Sequence, residues 1–202
     1  MTALMAENFR TTPAAVTNND PQRSELAIPV GPEDHSQGST ATARITLVLY
    51  GDYECRACGA VYPLIKSLAK RRTGDLKLIF RNMPLTQLHP NAQWAAEAAE
   101  SAAAQGQFWE LHDALYEHQT ALSPQFITKM ARRLGIDMAR FNEDMRVHRF
   151  EERVKRDLAG AVRSGVTSTP AFFINGMRYQ AALDERGLNQ ALDTPTRSTS
   201  RA

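Results

Sequence analysis

The sequence predicts a mixed α/β domain in which a βαβ half and a ββα half are separated by a block of helices. Three observations carry this reading. Ile45 to Tyr50 is a short, β-branched, almost uninterrupted apolar run, as expected of a strand buried on both faces. The stretch from about 88 to 147 repeats its apolar residues at helical spacing. Asn175-Gly176 lies between two short apolar runs, and that pair supplies the two positive φ angles of a tight hairpin turn.

Taken in order, residues 1–25 are polar, unpatterned and expected to be a disordered tail. The domain is assigned to residues 26–193. It opens with Leu26 to Val30, read as an edge strand because Pro29 forbids a central one. Gly31 to Thr42 reads as loop. After the Ile45–Tyr50 strand, Gly51-Asp52 is a break. A helix then carries Val61, Leu64, Ile65 and Leu68 on one face, with Pro63 expected to kink it. Leu76 to Arg81 is the second strand of the βαβ half. In the helical block, Ala92, Ala95, Ala96, Ala99 and Ala103 form a close-packing stripe. Phe108, Leu111 and Leu115 mark the next helix. Ser123 is an N-cap with Pro124 at the first helical position, and Asp137 caps another helix. Phe150, Val154, Leu158 and Val162 stripe a longer one, ended by Gly165. The hairpin Ala171–Ile174 and Met177–Tyr179 follows, then a helix holding Leu188 and Leu192, then a second disordered tail over 194–202. This order is that of the thioredoxin fold with an insertion between its halves.

Composition narrows the function. The chain has 202 residues, 43% of them hydrophobic, enough for one sizeable core. A net charge of +2 gives no basis for a nucleic-acid surface. The arginines between Arg132 and Arg163 alternate with acids such as Glu143, Asp144, Glu151 and Glu152, the pattern of a solvated helix face. No segment approaches the ~20 apolar residues of a membrane span, and no membrane partner is expected. Met1 to Asp20 has no apolar run of signal-peptide type, so the expected location is the cytoplasm; a periplasmic one would require a different start site.

The chemistry lies in the only two cysteines, Cys55 and Cys58, which follow a buried strand and open a helix. A helix N-terminus has unpaired N–H groups and the positive end of the dipole, and both favour thiolate over thiol. Arg56 adds a cation, which Asp52 and Glu54 oppose. The Cys55 thiolate is expected to attack a substrate disulfide and Cys58 to resolve the mixed disulfide, or the reverse. The pair has two other possible uses. Half of a zinc site would need two more ligands, and the histidines offer only a stretched His112 and His118 pair. Two buried structural cysteines gain nothing from this spacing. No cofactor and no metal are expected.

Tyr50-Gly51-Asp52-Tyr53-Glu54-Cys55-Arg56-Ala57-Cys58-Gly59, the block from His89-Pro90-Asn91-Ala92 to His112-Asp113, and Gly165-Val166-Thr167-Ser168-Thr169-Pro170-Ala171 stand in an order that resembles DsbA-like thioredoxin-fold disulfide oxidoreductases. Within these, the resemblance is to the subgroup found both alone and fused to membrane transporters. It implies Cys55 as nucleophile, Cys58 as resolver, and a cis Thr169–Pro170 peptide beside them. It also implies that Thr169 and Pro170 offer backbone to an extended substrate, as in strand addition. The two residues between the cysteines help set the redox potential. Relatives often have proline followed by an aromatic or histidine there, whereas this chain has Arg56 and Ala57. His89, His112, Trp94 and Trp109 read as structural. The expected activity is disulfide exchange with protein thiols or disulfides, with an unidentified redox partner and a monomeric chain. The alternatives are a redox-sensing or partner-binding module, and a reductase of a small thiol or disulfide substrate.

Overall fold

The computed structural model describes residues 25–38 and 42–194. A five-stranded sheet runs in the order β1-β3-β2-β4-β5. Its strands are β1 (His35–Gly38), β2 (Ile45–Gly51), β3 (Leu76–Asn82), β4 (Ala171–Ile174) and β5 (Met177–Tyr179). β2 and β3 are parallel, with Leu47 opposite Leu78, and every other pair is antiparallel. The helix α1 (Arg56–Arg71) makes the crossover between β2 and β3.

The apolar run of β2 is explained by its place at the middle of the sheet. Leu47 and Leu49 face one core with α1, while Val48 and Tyr50 face a second with Ile79, Ala161 and Phe173. A strand covered on both faces has no side left for polar residues. Pro63 sits inside α1, which continues through it to Arg71. Tyr62 and Ile65 on either side of it are buried, so packing holds the helix across the missing N–H.

The block between β3 and β4 contains α2 (Ala92–Ala103), α3 (Phe108–Glu117), a 3₁₀ turn at Gln119–Ala121, α4 (Pro124–Arg133), α5 (Met138–Arg146) and α6 (Glu151–Arg163). Ser123 Oγ accepts from Phe126 N, and Asp137 Oδ1 from Ala139 N and Arg140 N, so both caps expected from sequence are made. α2 is more deeply enclosed than its alanine stripe implied. Glu97, Glu100 and Ser101 are buried as well, answered by His148, by His35 and Asn82, and by Asp144. The hairpin turns at Asn175 and Gly176, whose φ angles are 50° and 83°. α7 (Glu185–Asp193) ends the fold with Leu188 and Leu192 buried.

Two expectations are corrected at the N-terminal edge. Leu26 to Val30 is not a strand: Leu26 N donates to Gly176 O and Ala27 N to Ser164 Oγ, and an isolated bridge precedes them at Glu25 to Met177. The carbonyls of Ile28 and Pro29 are taken by the buried Arg81 guanidinium, which replaces a partner strand. The edge strand is instead His35–Gly38, within the segment read as loop. It has no apolar pattern, and contacts from elsewhere hold it. His35 stacks on Phe108 at 3.7 Å, and Trp109 Nε1 donates to Ser36 O. The tails expected at 1–25 and 194–202 lie, apart from Glu25 and Thr194, outside the described residues. Among the described residues no helix is long and apolar enough to cross a membrane.

Candidate active site

Cys55 is the N-cap of α1 and Cys58 lies one turn in. β2 delivers the chain to this point, and Gly51 at its end is closely covered: a Cβ there would meet Phe80 Cε2 at 2.6 Å and Tyr116 Oη at 2.8 Å. Both cysteines are buried, Cys58 more completely than Cys55 (1% against 8% exposure), so Cys55 is the more accessible of the two. Across the sheet, the Thr169–Pro170 peptide is cis. When protonated, the Cys55 thiol donates to the Thr169 carbonyl at 3.3 Å. Three of the residues singled out from sequence, Cys55, Cys58 and Thr169, therefore converge, with Pro170 next to them. Arg56 and Ala57 are exposed on the first turn of α1.

The two thiols differ sharply. The Cys55 thiol is lowered to about 5, first by a hydrogen bond from Cys58. Burial opposes this, while Thr169 and the α1 N–H groups of Cys58 and Ala57 assist. Cys58 is pushed up by the same hydrogen bond and by its burial. The Thr169 hydroxyl is buried without a hydrogen-bond partner of its own among the described residues, yet it stands near enough to lower both thiols. This leaves one sulfur as thiolate at neutral pH and the other as thiol.

The loop before Cys55 is held by the inserted helices. The Asp52 carboxylate accepts from Glu54 N, Leu85 N and the His89 ring, each at 2.8 Å. Glu54 accepts from the backbone and side chain of Asn91. The charges of Asp52 and Glu54, which by sequence should oppose the thiolate, are thus engaged elsewhere. Tyr53 Oη pairs with His112 Nδ1 at 3.1 Å. Gln119 Nε2 donates to the carbonyls of Tyr53 and Cys55, both at 2.8 Å.

His112 is a packing residue, enclosed by Tyr53, Phe80, Phe108 and Tyr116, and burial lowers it to about 3. Burial pushes the His89 imidazole down, but the Asp52 hydrogen bond together with the charges of Asp52, Cys55 and Glu54 raises it overall. The contribution of Gln119 was missed: a glutamine in a polar stretch has no spacing that marks it. Among the described residues, no cluster of three or more His, Cys, Asp or Glu is placed to hold a metal ion.

The sequence profile of the family described as Thioredoxin matches residues 31–194. A protein of Salinispora arenicola named Na(+)/H(+) antiporter NhaA 1 is 41% identical over 169 residues, covering 83% of this chain and 26% of that protein. One of Herminiimonas arsenicoxydans named Na(+)/H(+) antiporter NhaA is 38% identical over 175 residues, covering 86% and 28%. The chain thus spans about a quarter of the length of the curated relatives it matches. Among solved structures, oxidised BdbD from Bacillus subtilis superposes with a TM-score of 0.71 at 20% identity, covering 79% of this chain and 90% of that one. The thiol-disulfide exchange protein alpha-DsbA2 from Wolbachia pipientis gives 0.70 at 24% identity, covering 79% and 86%. By its own sequence across most of its length, and with a fold shared with DsbA proteins, the chain belongs to the thioredoxin family.

Proposed function

We propose that the chain is a thiol–disulfide oxidoreductase that exchanges disulfides with protein substrates through Cys55 and Cys58. The observation that carries this is the asymmetry of the pair: the less buried thiol lowered to about 5 beside a more deeply shielded one pushed up. Such a pair divides the labour of exchange. In the reducing direction the Cys55 thiolate attacks a substrate disulfide, and one substrate sulfur leaves as thiolate. Cys58 then loses its proton and displaces the second substrate sulfur from Cys55, leaving the Cys55–Cys58 disulfide and a reduced substrate. The oxidising direction is the reverse. The Thr169 carbonyl beside Cys55 is the backbone group offered to an extended substrate, and Arg56 and Ala57 tune the potential.

The test is a trapping experiment. In Cys58→Ala the mixed disulfide on Cys55 cannot be resolved, so it should accumulate with a disulfide-bearing protein substrate. In Cys55→Ala neither adduct nor turnover should be seen. A Cys55→Ala protein that still turns over substrate would sink the reading. Turnover lost with partner affinity unchanged, and no adduct in Cys58→Ala, would favour a redox-sensing module instead.

A further inference from the structure

We propose that Gln119 is a positioning residue for disulfide exchange: seated against Gly59, it clamps the Tyr53 and Cys55 carbonyls and so holds Cys55 over the N-terminus of α1 and against Thr169. This rests on the exchange function proposed above and adds a residue that acts through the backbone rather than on the sulfur.

The geometry is specific. Both N–H groups of one amide are used, each at 2.8 Å, on carbonyls two residues apart that flank Glu54. The Cys55 carbonyl also accepts the opening bond of α1, from Gly59 N at 3.1 Å. Gln119 therefore braces the peptide that joins the loop to the helix. Without it, the Tyr53 carbonyl loses its donor and the Cys55 carbonyl keeps only the helical bond. Both carbonyl dipoles would then be less compensated close to the thiolate, and Cys55 would be freer to turn away from the N–H groups of Ala57 and Cys58.

Gly59 supplies the second half of the clamp. A Cβ at this position would overlap Gln119 Oε1 and stand 2.8 Å from its Cδ. All three closest neighbours of that Cβ are the end of the Gln119 side chain, so a larger residue can be admitted only by displacing the glutamine. The glutamine comes from the 3₁₀ turn of the inserted helices and the glycine from α1, and the clamp couples the insertion to the cysteine pair. The charged groups around the loop, Asp52, Glu54 and His89, are bound to one another and to Leu85 and Asn91, and neither substitution touches them.

The experiment compares wild type, Gln119→Ala, Gly59→Ala and the double variant. Two quantities are read: the pH midpoint of Cys55 alkylation by iodoacetamide in the reduced protein, and the equilibrium with glutathione. Each single variant should raise the midpoint and make the pair about tenfold harder to reduce, which is about 30 mV for a two-electron couple. The double variant should match the single ones, because both remove the same contact. Each substitution strips the Tyr53 carbonyl of its donor, so thermal midpoints should fall modestly, and less in Gly59→Ala, where alanine favours the helix. If Gln119→Ala fails to fold, Gly59→Ala carries the test. An unchanged alkylation midpoint and potential, or additive effects in the double variant, overturn the inference. A wild-type pair that forms no disulfide would instead defeat the exchange function, while the alkylation readout would still judge the clamp.

Discussion

At Cys55, a shift to about 5 against an ordinary thiol value near 9 means that the thiolate is favoured in the folded, reduced protein. Its contribution to stability is therefore fully present above the unfolded thiol value and is lost as the pH falls through about 5. Reduced wild type should lose stability relative to Cys55→Ser as the pH is lowered from about 8.5 to about 5, read by urea denaturation at each pH. Parallel curves over that range would mean the thiolate is not stabilised. Thr169→Val removes a buried hydroxyl without a hydrogen-bond partner among the described residues, and its expected effect is a higher alkylation midpoint for Cys55 without loss of fold. At this scale the sequence was partly legible. The two cysteines were marked by their spacing after a buried strand. The engagement of Asp52 and Glu54 was not, because their partners Leu85, His89 and Asn91 lie more than thirty residues away.

Among the elements, those with a local cause were readable and those with a distant cause were not. Ser123 and Asp137 cap their helices through bonds to residues two or three positions on, and Asn175-Gly176 sets its own turn. Ser123→Ala should accordingly cost ~1 kcal/mol in denaturant unfolding. β1 has no such local code. His35–Gly38 pairs with β3, and Gly38 has a φ of 93°, where an added Cβ would overlap the Leu76 carbonyl oxygen. Gly38→Ala should destabilise by more than ~1 kcal/mol and raise hydrogen exchange at the outer edge of β3. Unaltered exchange there would mean that the β1 pairing does not depend on this glycine.

Over the whole molecule, two buried polar assemblies fix how distant parts meet. Around the active-site loop, Asp52, Glu54, Tyr53 and the Tyr53 and Cys55 carbonyls are all answered by residues between Leu85 and Gln119. On the opposite face, Arg81 is 4% exposed and spends its donors on Asp34, Tyr50, Ile28 and Pro29, which straps the N-terminal segment over the second core. Arg81→Leu leaves Asp34 buried without its cation, with an expected loss of ~3 kcal/mol, partly restored by adding Asp34→Leu. No sequence pattern announced this strap, because a lone arginine ending a strand looks like a surface residue. The order of halves and insertion was visible, since apolar periodicity and the Asn175-Gly176 turn are both local signals.

The central claim is that Cys55 and Cys58 form a redox pair whose reduced form is stabilised at Cys55. The most direct measurement is its reduction potential, obtained by equilibrating the protein with glutathione buffers and trapping free thiols. Stabilising the reduced form makes a pair more oxidising, and a Cys55 value of about 5 lies between the ~7 of thioredoxin and the ~3.5 of DsbA. The expected potential lies between about −270 and about −120 mV. A potential below about −270 mV, or a pair that forms no disulfide at any poise, would contradict it.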